Sequence, residues 1–228
     1  AGFVYSVPLF SQTPVEIMDR IDDNEIFESI IYKGEMIIEY QGREFYKTFN
    51  AWGRENRDSF IEFTNPEDRG TKYLKKAGRL YVYSPDTEQV MLISGHLLKE
   101  SMIGSDLSYE DTIENERLSN RYTAVFLPEE PVNGRDCWVL DLTAIKNTES
   151  YPKRRLWVDK TNFDMLRAEY YALSGAELKE YELLQAEDIG GRRFPIKMQM
   201  RDLLRKNSRT IFRMSSIEMD VPISDRIF

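Results

Sequence analysis

Four residues in one short stretch carry the side chains that acyl hydrolysis would use: His96, Ser101, Ser105 and Asp106. A serine nucleophile, a histidine base and a carboxylate that orients the imidazole define that chemistry. Their closeness in sequence leaves a hydrolase reading open. Local structure explains the same residues more simply. Ser105, Asp106 and Ser108 suit helix caps, and Glu110 and Asp111 suit a first helical turn, where the dipole favours acids. His96 fits a helix start. The chain has one histidine, so a zinc site of two or three histidines is excluded. No HExxH, CxxC, P-loop, GxGxxG or GxSxG pattern occurs. The carboxylate pairs Asp22-Asp23 and Glu129-Glu130 read as solvated faces of an acidic protein.

The formal net charge is −8, which argues against a general nucleic-acid binder, whose affinity rests on neutralising phosphates. The basic clusters Lys153-Arg154-Arg155 and Leu203-Leu204-Arg205-Lys206 read as solvated strand ends. The single cysteine, Cys137, rules out an internal disulfide and reads as a buried thiol in the strand-like run Cys137-Trp138-Val139-Leu140. No continuous apolar run is long enough to span a membrane as a helix. A start at Ala1-Gly2-Phe3 is compatible with a removed export signal.

These residues must be positioned by regular elements. Thr13-Pro14-Val15-Glu16 combines a capping box with proline at the first helical position. Ile17, Met18 and Ile21 follow on one face of a helix of about three turns. From Ser29 the apolar period changes to two, and short turns separate successive strands, which predicts an antiparallel meander. The segment 95–117 interrupts it. Leu97, Leu98, Ser101 and Met102 share a face at helical spacing, and Gly104 fits the left-handed position that ends a helix. Two short amphipathic helices are therefore expected, laid over one face of the sheet. About a dozen strands without a Pro-, Gly- or Ser-rich linker make 1–228 one β-rich domain that curls into a barrel or half-barrel.

The strands offer one apolar face. Its inward positions are Met36, Ile38, Ile61, Phe63, Leu80, Val82, Trp138, Leu140, Leu142, Met198, Met200, Phe212 and Met214. A packed core and a ligand cavity both satisfy this periodicity. Nine methionines add adaptable, polarizable contacts.

The order of helix, meander, insert and further meander accompanies specific segments. These are Gly104-Ser105-Asp106-Leu107-Ser108-Tyr109-Glu110-Asp111, Asn65-Pro66-Glu67-Asp68-Arg69-Gly70-Thr71-Lys72-Tyr73-Leu74, Tyr83-Ser84-Pro85 and Leu156-Trp157-Val158-Asp159-Lys160. Together they resemble the outer-membrane lipoprotein-sorting family, whose members are similar to the periplasmic carrier LolA and the receptor LolB. The resemblance runs from about Val15 to Phe228. It implies an α+β, β-rich fold: a strongly curved antiparallel sheet, an unclosed half-barrel of about 11–12 strands, with helices covering the concave face. It implies a non-enzymatic carrier or acceptor that needs no cofactor or metal and holds phospholipid or lipoprotein acyl chains. Helical cover near 13–24 and 95–117 is expected, with Leu97, Leu98, Met102 and Leu107 as lid contacts. Trp138, Leu140, Met198, Met200 and Phe212 would form the floor. In the carrier branch an arginine on the sheet bonds to the lid backbone, a role that the resemblance assigns to no particular arginine of this chain. The setting implied is the periplasm, free or lipid-anchored, with an envelope transporter or membrane receptor as delivery partner. The chain is expected to act as a monomer, and the alternative is a structural module with a filled core.

Overall fold

The computed structural model describes residues 12–55, 57–112 and 116–228. Asn56 of the 54–58 loop and residues 113–115 of the expected helical cover lie outside them. The first element, α1 (Pro14–Glu25), starts as its residues dictate. The Thr13 amide donates to Glu16 at 2.7 Å and the Glu16 amide donates to the Thr13 hydroxyl at 3.2 Å.

Among the described residues, thirteen antiparallel strands follow in one sheet. The first six are β1 (Ser29–Tyr40), β2 (Arg43–Arg54), β3 (Asp58–Phe63), β4 (Lys72–Lys76), β5 (Arg79–Ser84) and β6 (Gln89–Ile93). The others are β7 (Tyr122–Leu127), β8 (Cys137–Ala144), β9 (Lys153–Asp159), β10 (Met165–Tyr171), β11 (Glu177–Ile189), β12 (Arg192–Asp202) and β13 (Ser208–Met219). Every neighbouring pair is consecutive in sequence except one, β1 against β13. The first and last strands therefore meet in mid-sheet, and the edges are the mid-chain strands β6 and β7.

The sheet is unclosed and curves around its helices. One observation requires this curvature. α1 touches both β12 and the edge strand β7. Strands five steps apart would be about 24 Å apart in a flat sheet. One helix spans both because the strands wrap round it. The connection from β6 to β7 must likewise cross from one edge to the other, which lays it over the concave side.

That connection differs from the expected helices. It consists of 3-10 turns at Gly95–Lys99, Met102–Gly104 and Glu110–Thr112, then a single α-turn, α2 (Leu118–Arg121). The runs between breaks are too short to nucleate an α-helix. Ile103 and Gly104 take φ values of 51° and 80°, which turns the chain into a small hairpin. Its rungs are Met102 N to Leu107 O at 2.8 Å and Tyr109 N to Glu100 O at 3.1 Å.

Two packed cores occupy opposite wings of the concave face. Under α1, Ile17, Met18 and Ile21 meet Tyr122, Leu140, Leu142, Leu156 and Val158. Under the insert, Met36, Ile38, Phe49, Phe63, Tyr73, Leu80, Val82 and Met102 form the second. Gly34 is required there. A Cβ on it would lie 2.2 Å from the Phe49 ring, which covers the glycine from the facing strand. The C-terminal turn Asp225–Ile227 folds onto the outside of the sheet. There Arg54 bonds to Asp225 at 2.7 Å and stacks over Phe228. No helix among the described residues is long and apolar enough to cross a membrane.

Candidate functional site

Between the two cores, at the centre of the concave face, the sheet is not filled. A cavity of about 430 Å³ lies there. Inward residues of β12 and β13 form its floor: Met198, Met200, Phe212 and Met214, with Phe194 and Thr210. Tyr32 of β1 and Tyr181 of β11 close the sides, and Leu107 of the insert reaches it from above. The alternation of β12 and β13 dictates this lining, because Met198 stands opposite Phe212 and Met200 opposite Thr210. A wider, more polar cavity of about 800 Å³ adjoins it and shares Glu25, Asp111, Met165 and Tyr170 as walls. Its rim carries Asp22, Glu28, Arg117, Arg121, Arg154 and Arg192.

The expected site residues divide among four places. Met198, Met200, Phe212, Met214 and Leu107 line the apolar cavity. Met36, Ile38, Phe63, Leu80, Val82 and Met102 lie inside the core under the insert, with Ile61 and Leu98 packed against it. Leu140 and Leu142 are fully buried under α1. Trp138 packs at that core's margin against Phe163, with ring centroids 5.5 Å apart. Leu97 is 40% exposed on the turn after β6.

The insert is pinned to the floor by polar contacts. Asp106 is 1% exposed. Its carboxylate accepts from the Asp202 amide at 3.0 Å and from the Thr210 hydroxyl at 2.7 Å. Its own amide donates to the Thr210 oxygen at 2.9 Å. Arg205, in the β12–β13 loop, donates to the carbonyls of Ser105 and Gly104 and stacks on Tyr40. Farther along, Asp111 accepts from Lys179 at 2.6 Å, from the Ser108 amide at 2.7 Å and from the Tyr151 hydroxyl at 2.8 Å. Ser108 caps the Glu110–Thr112 turn, its hydroxyl accepting from the Asp111 amide at 3.4 Å. Ser105 is fully buried, and its hydroxyl donates to Met102 O at 2.7 Å. His96 is exposed on a different turn. The serine is engaged by backbone and the histidine is not aimed at it.

Electrostatics change along the cavity. Arg154 lies among the rings of Tyr122, Tyr151 and Tyr170, within 4.8, 5.4 and 5.0 Å of their centroids. Arg121 pairs with Glu149 beside it. Glu25, the last residue of α1, lies on the wall shared by the two cavities and is exposed to the space there. Desolvation by the protein around it, and then the nearby Asp22 charge, pushes its carboxyl up to about 7. Burial likewise raises Asp22 to about 6, although the Leu118 amide that it accepts from opposes the shift. Burial pushes the Tyr32 phenol up to about 12.

Other family-like segments serve local structure. In the 65–70 loop, Asp68 accepts from Lys47 and from the Asn65 side chain, both at 2.6 Å, which neutralises a buried lysine. In the turn after Leu156-Trp157-Val158, Asp159 accepts from the amides of Thr161 and Asn162 and from Arg135. Sequence reasoning missed Arg205, Thr210, Lys179 and Glu25. Arg205 sits in a basic cluster that reads as a solvated strand end, and no spacing signals its reach to the insert.

Residues 55–228 match a family whose description reads "uncharacterized protein". No curated protein matches the chain. Among solved structures, a DUF1329 family protein from Desulfovibrio piger is 29% identical and superposes with a TM-score of 0.83 over 92% of this chain and 93% of that one. A putative outer membrane lipoprotein-sorting protein domain from Vibrio parahaemolyticus is 21% identical, TM-score 0.82, over 93% and 94%. A LolA superfamily protein from Nitrosomonas europaea is 25% identical, TM-score 0.76, over 96% and 98%.

Proposed function

The chain belongs to the family matched over residues 55–228 and is LolA-like, and from that premise we propose that it is a non-enzymatic carrier or acceptor of acyl chains in the bacterial envelope. The observation that carries this reading is the central cavity of about 430 Å³, floored by methionine and phenylalanine and roofed by the insert. Its size lies in the range of ligand pockets. The adjoining cavity of about 800 Å³ gives a chain longer than the apolar chamber somewhere to extend. Flexible methionine side chains accept chains of differing length and kinking. Burying a chain of a dozen methylenes gains roughly 10 kcal/mol before ordering costs, at about 0.8 kcal/mol each. No covalent step is needed.

The acyl chain rests against Met198, Met200, Phe212 and Met214, with Leu107 above. The polar rim keeps the head group in water. The insert is the moving part. It is held to the floor by the hydrogen bonds of Asp106 and Arg205 and to the neighbouring core by Met102, Leu98, Ile103 and Tyr109, so opening lifts those side chains off one core and leaves the core under α1 in place. The cargo is phospholipid or the acyl groups of a lipoprotein, and the setting is the periplasm, free or tethered to a membrane. An envelope transporter or membrane receptor supplies or receives it. Native mass spectrometry of the purified protein should find co-purifying lipid that organic extraction removes. The delipidated protein should then take up a fluorescent fatty acid or phospholipid. Failure to take up any probe, with the fold intact, would overturn the proposal.

A further inference from the structure

Several hairpins turn at one level along the end of the sheet. Tyr40 stands opposite both Arg43 and Ser208, where β1 turns into β2 and β13 begins. Farther round, Thr143, Lys153, Tyr171 and Glu177 stand opposite one another in turn across β8 to β11. The Leu203 amide donates to the Leu178 carbonyl at 2.9 Å, which ties the β12–β13 turn to the same level. Four turns, 41–42, 145–152, 172–176 and 203–207, therefore form one rim. In the other wing β3 ends at Phe63 opposite Phe49, well below Arg43. The turns that hold Glu67, Asp68, Asp86 and Glu88 are thus set back from the rim.

The rim combines single aliphatic side chains with basic charge. Leu173 and Leu204 are 80% and 74% exposed, more than any other large apolar side chain among the described residues, and Ile145 is exposed on the turn beyond them. The charges in the four turns are Lys146, Glu149, Arg205 and Lys206. Glu149 is paired with Arg121, so the turns present positive charge in a chain whose net charge is −8. One row back Lys153 is exposed, whereas Glu177 and Asp202 are only partly so. Beside the Leu204 turn lies a groove of about 320 Å³ whose lining includes Arg43, Arg201 and Arg209 against Glu39 and Glu44.

We propose that this rim docks on a bilayer that contains anionic phospholipid, with Leu173 and Leu204 set among the head groups and Lys146 and Lys206 on phosphates. Neighbouring turns lie about 10 Å apart, two strand spacings. Ser174, Gly175 and Asn207 stand between the aliphatic side chains, which therefore do not merge into the continuous apolar core of a protein interface. A level row of single aliphatic residues with lysines beside them fits a flat layer that is charged at its surface and apolar beneath. The position also suits transfer. Arg205, next to Leu204, holds the insert by the carbonyls of Gly104 and Ser105. Docking brings the roof of the chamber to the bilayer. The docking goes beyond the acyl-chain reading and is measured separately from it.

Cosedimentation with vesicles tests the proposal. The full chain should bind vesicles of equal parts phosphatidylglycerol and phosphatidylcholine, more weakly as salt rises, and bind pure phosphatidylcholine at least tenfold less. Leu173→Ser combined with Leu204→Ser should weaken binding at least tenfold. Lys146→Glu combined with Lys206→Glu should do the same and abolish the salt dependence. All four side chains are exposed, so the melting temperature should hold. Leu92→Ser, at an exposed apolar position on β6, should bind as the unmodified chain does. Uptake of a water-soluble fluorescent fatty acid needs no vesicle and should be unchanged in the double leucine variant, which separates failure of docking from failure of the carrier reading. Loss of that uptake would place the turns in the chamber and overturn the proposal. So would a chain that ignores the anionic vesicles at low salt, or binding that is indifferent to the rim variants or lost equally in Leu92→Ser. A chain that ignores vesicles but self-associates, with the association lost in the double leucine variant, would make the rim a protein interface and equally overturn it.

Discussion

Replacing Asp106 by alanine tests whether the insert is a separable lid. Two hydrogen bonds reach the carboxylate, from the Asp202 amide at 3.0 Å and the Thr210 hydroxyl at 2.7 Å. Hydrogen bonds to charged groups contribute about 1.5–3 kcal/mol each, so the gross loss is roughly 3–6 kcal/mol. The Asp202 contact is only partly buried, so water can replace some of it. About 3 kcal/mol is the expected net cost, or roughly a hundredfold in the opening equilibrium. The loss should be local. Met102 N and Tyr109 N, the rungs of the insert hairpin, should lose about a hundredfold in hydrogen-exchange protection. Amides of β8 and β9, under α1, should keep theirs. Asp106→Asn retains one acceptor and should fall between. Thr210→Val removes the facing hydroxyl, so the double variant should cost much less than the sum of the singles. Exchange measured by mass spectrometry on peptides covering 100–112 reads all three. Unchanged exchange there would refute the pinning. An equal loss across the whole sheet would refute the separable lid.

The remaining expectations can be checked on the same protein. Arg205→Ala removes two bonds to insert carbonyls and should speed release of a bound fluorescent lipid about tenfold at nearly unchanged melting temperature, measured by stopped-flow displacement. Met198→Trp fills the apolar chamber and should weaken lipid uptake at least tenfold, whereas Leu97→Ala, on an exposed turn, should leave it unchanged. Glu25 and Asp22 have folded-state values of about 7 and about 6, above their ordinary 4.5 and 3.8. The folded protein therefore binds their protons more tightly than the unfolded chain. Their stabilising contribution is full below about pH 4 and is lost as pH rises through about 7. Thermal melts from pH 5 to 8 should show falling stability, and Glu25→Gln should flatten that slope. Gly34→Ala would drive a methyl group into the Phe49 ring and should destabilise by about 1–3 kcal/mol, read by urea unfolding.

Strict alternation made the sheet legible. In β12 and β13 it names Met198, Met200, Phe212 and Met214 as inward, and they are. The capping box at Thr13 places the start of α1 to the residue. Alternation says which face a side chain takes and nothing about what stands opposite. Met36 and Met198 look alike in sequence. One lies under Phe49 and Met102 in a filled core, and the other faces open space. That difference depends on where the insert sits, which a contact 104 residues long in sequence, Asp106 to Thr210, decides. The insert's own conformation was hidden for another reason. Apolar spacing at Leu97, Leu98 and Met102 mimics a helix, yet Ile103 and Gly104 take positive φ and fold it into a hairpin.

The pairing of β1 with β13 bears on how the molecule is made. Strands β1 to β6 form a meander of local hairpins, and so do β7 to β13. Each can assemble as its own residues leave the ribosome. The seam between them joins Ile30 to Met219, so it must wait for nearly the whole chain and closes a very long loop. The floor of the cavity straddles that seam, with Tyr32 on one side and Phe212 and Met214 on the other. The chamber is therefore the last compartment to be enclosed. A partly synthesised chain holds two apolar half-sheets with no room between them, which makes the final strand the step at which an unfinished chain becomes a container.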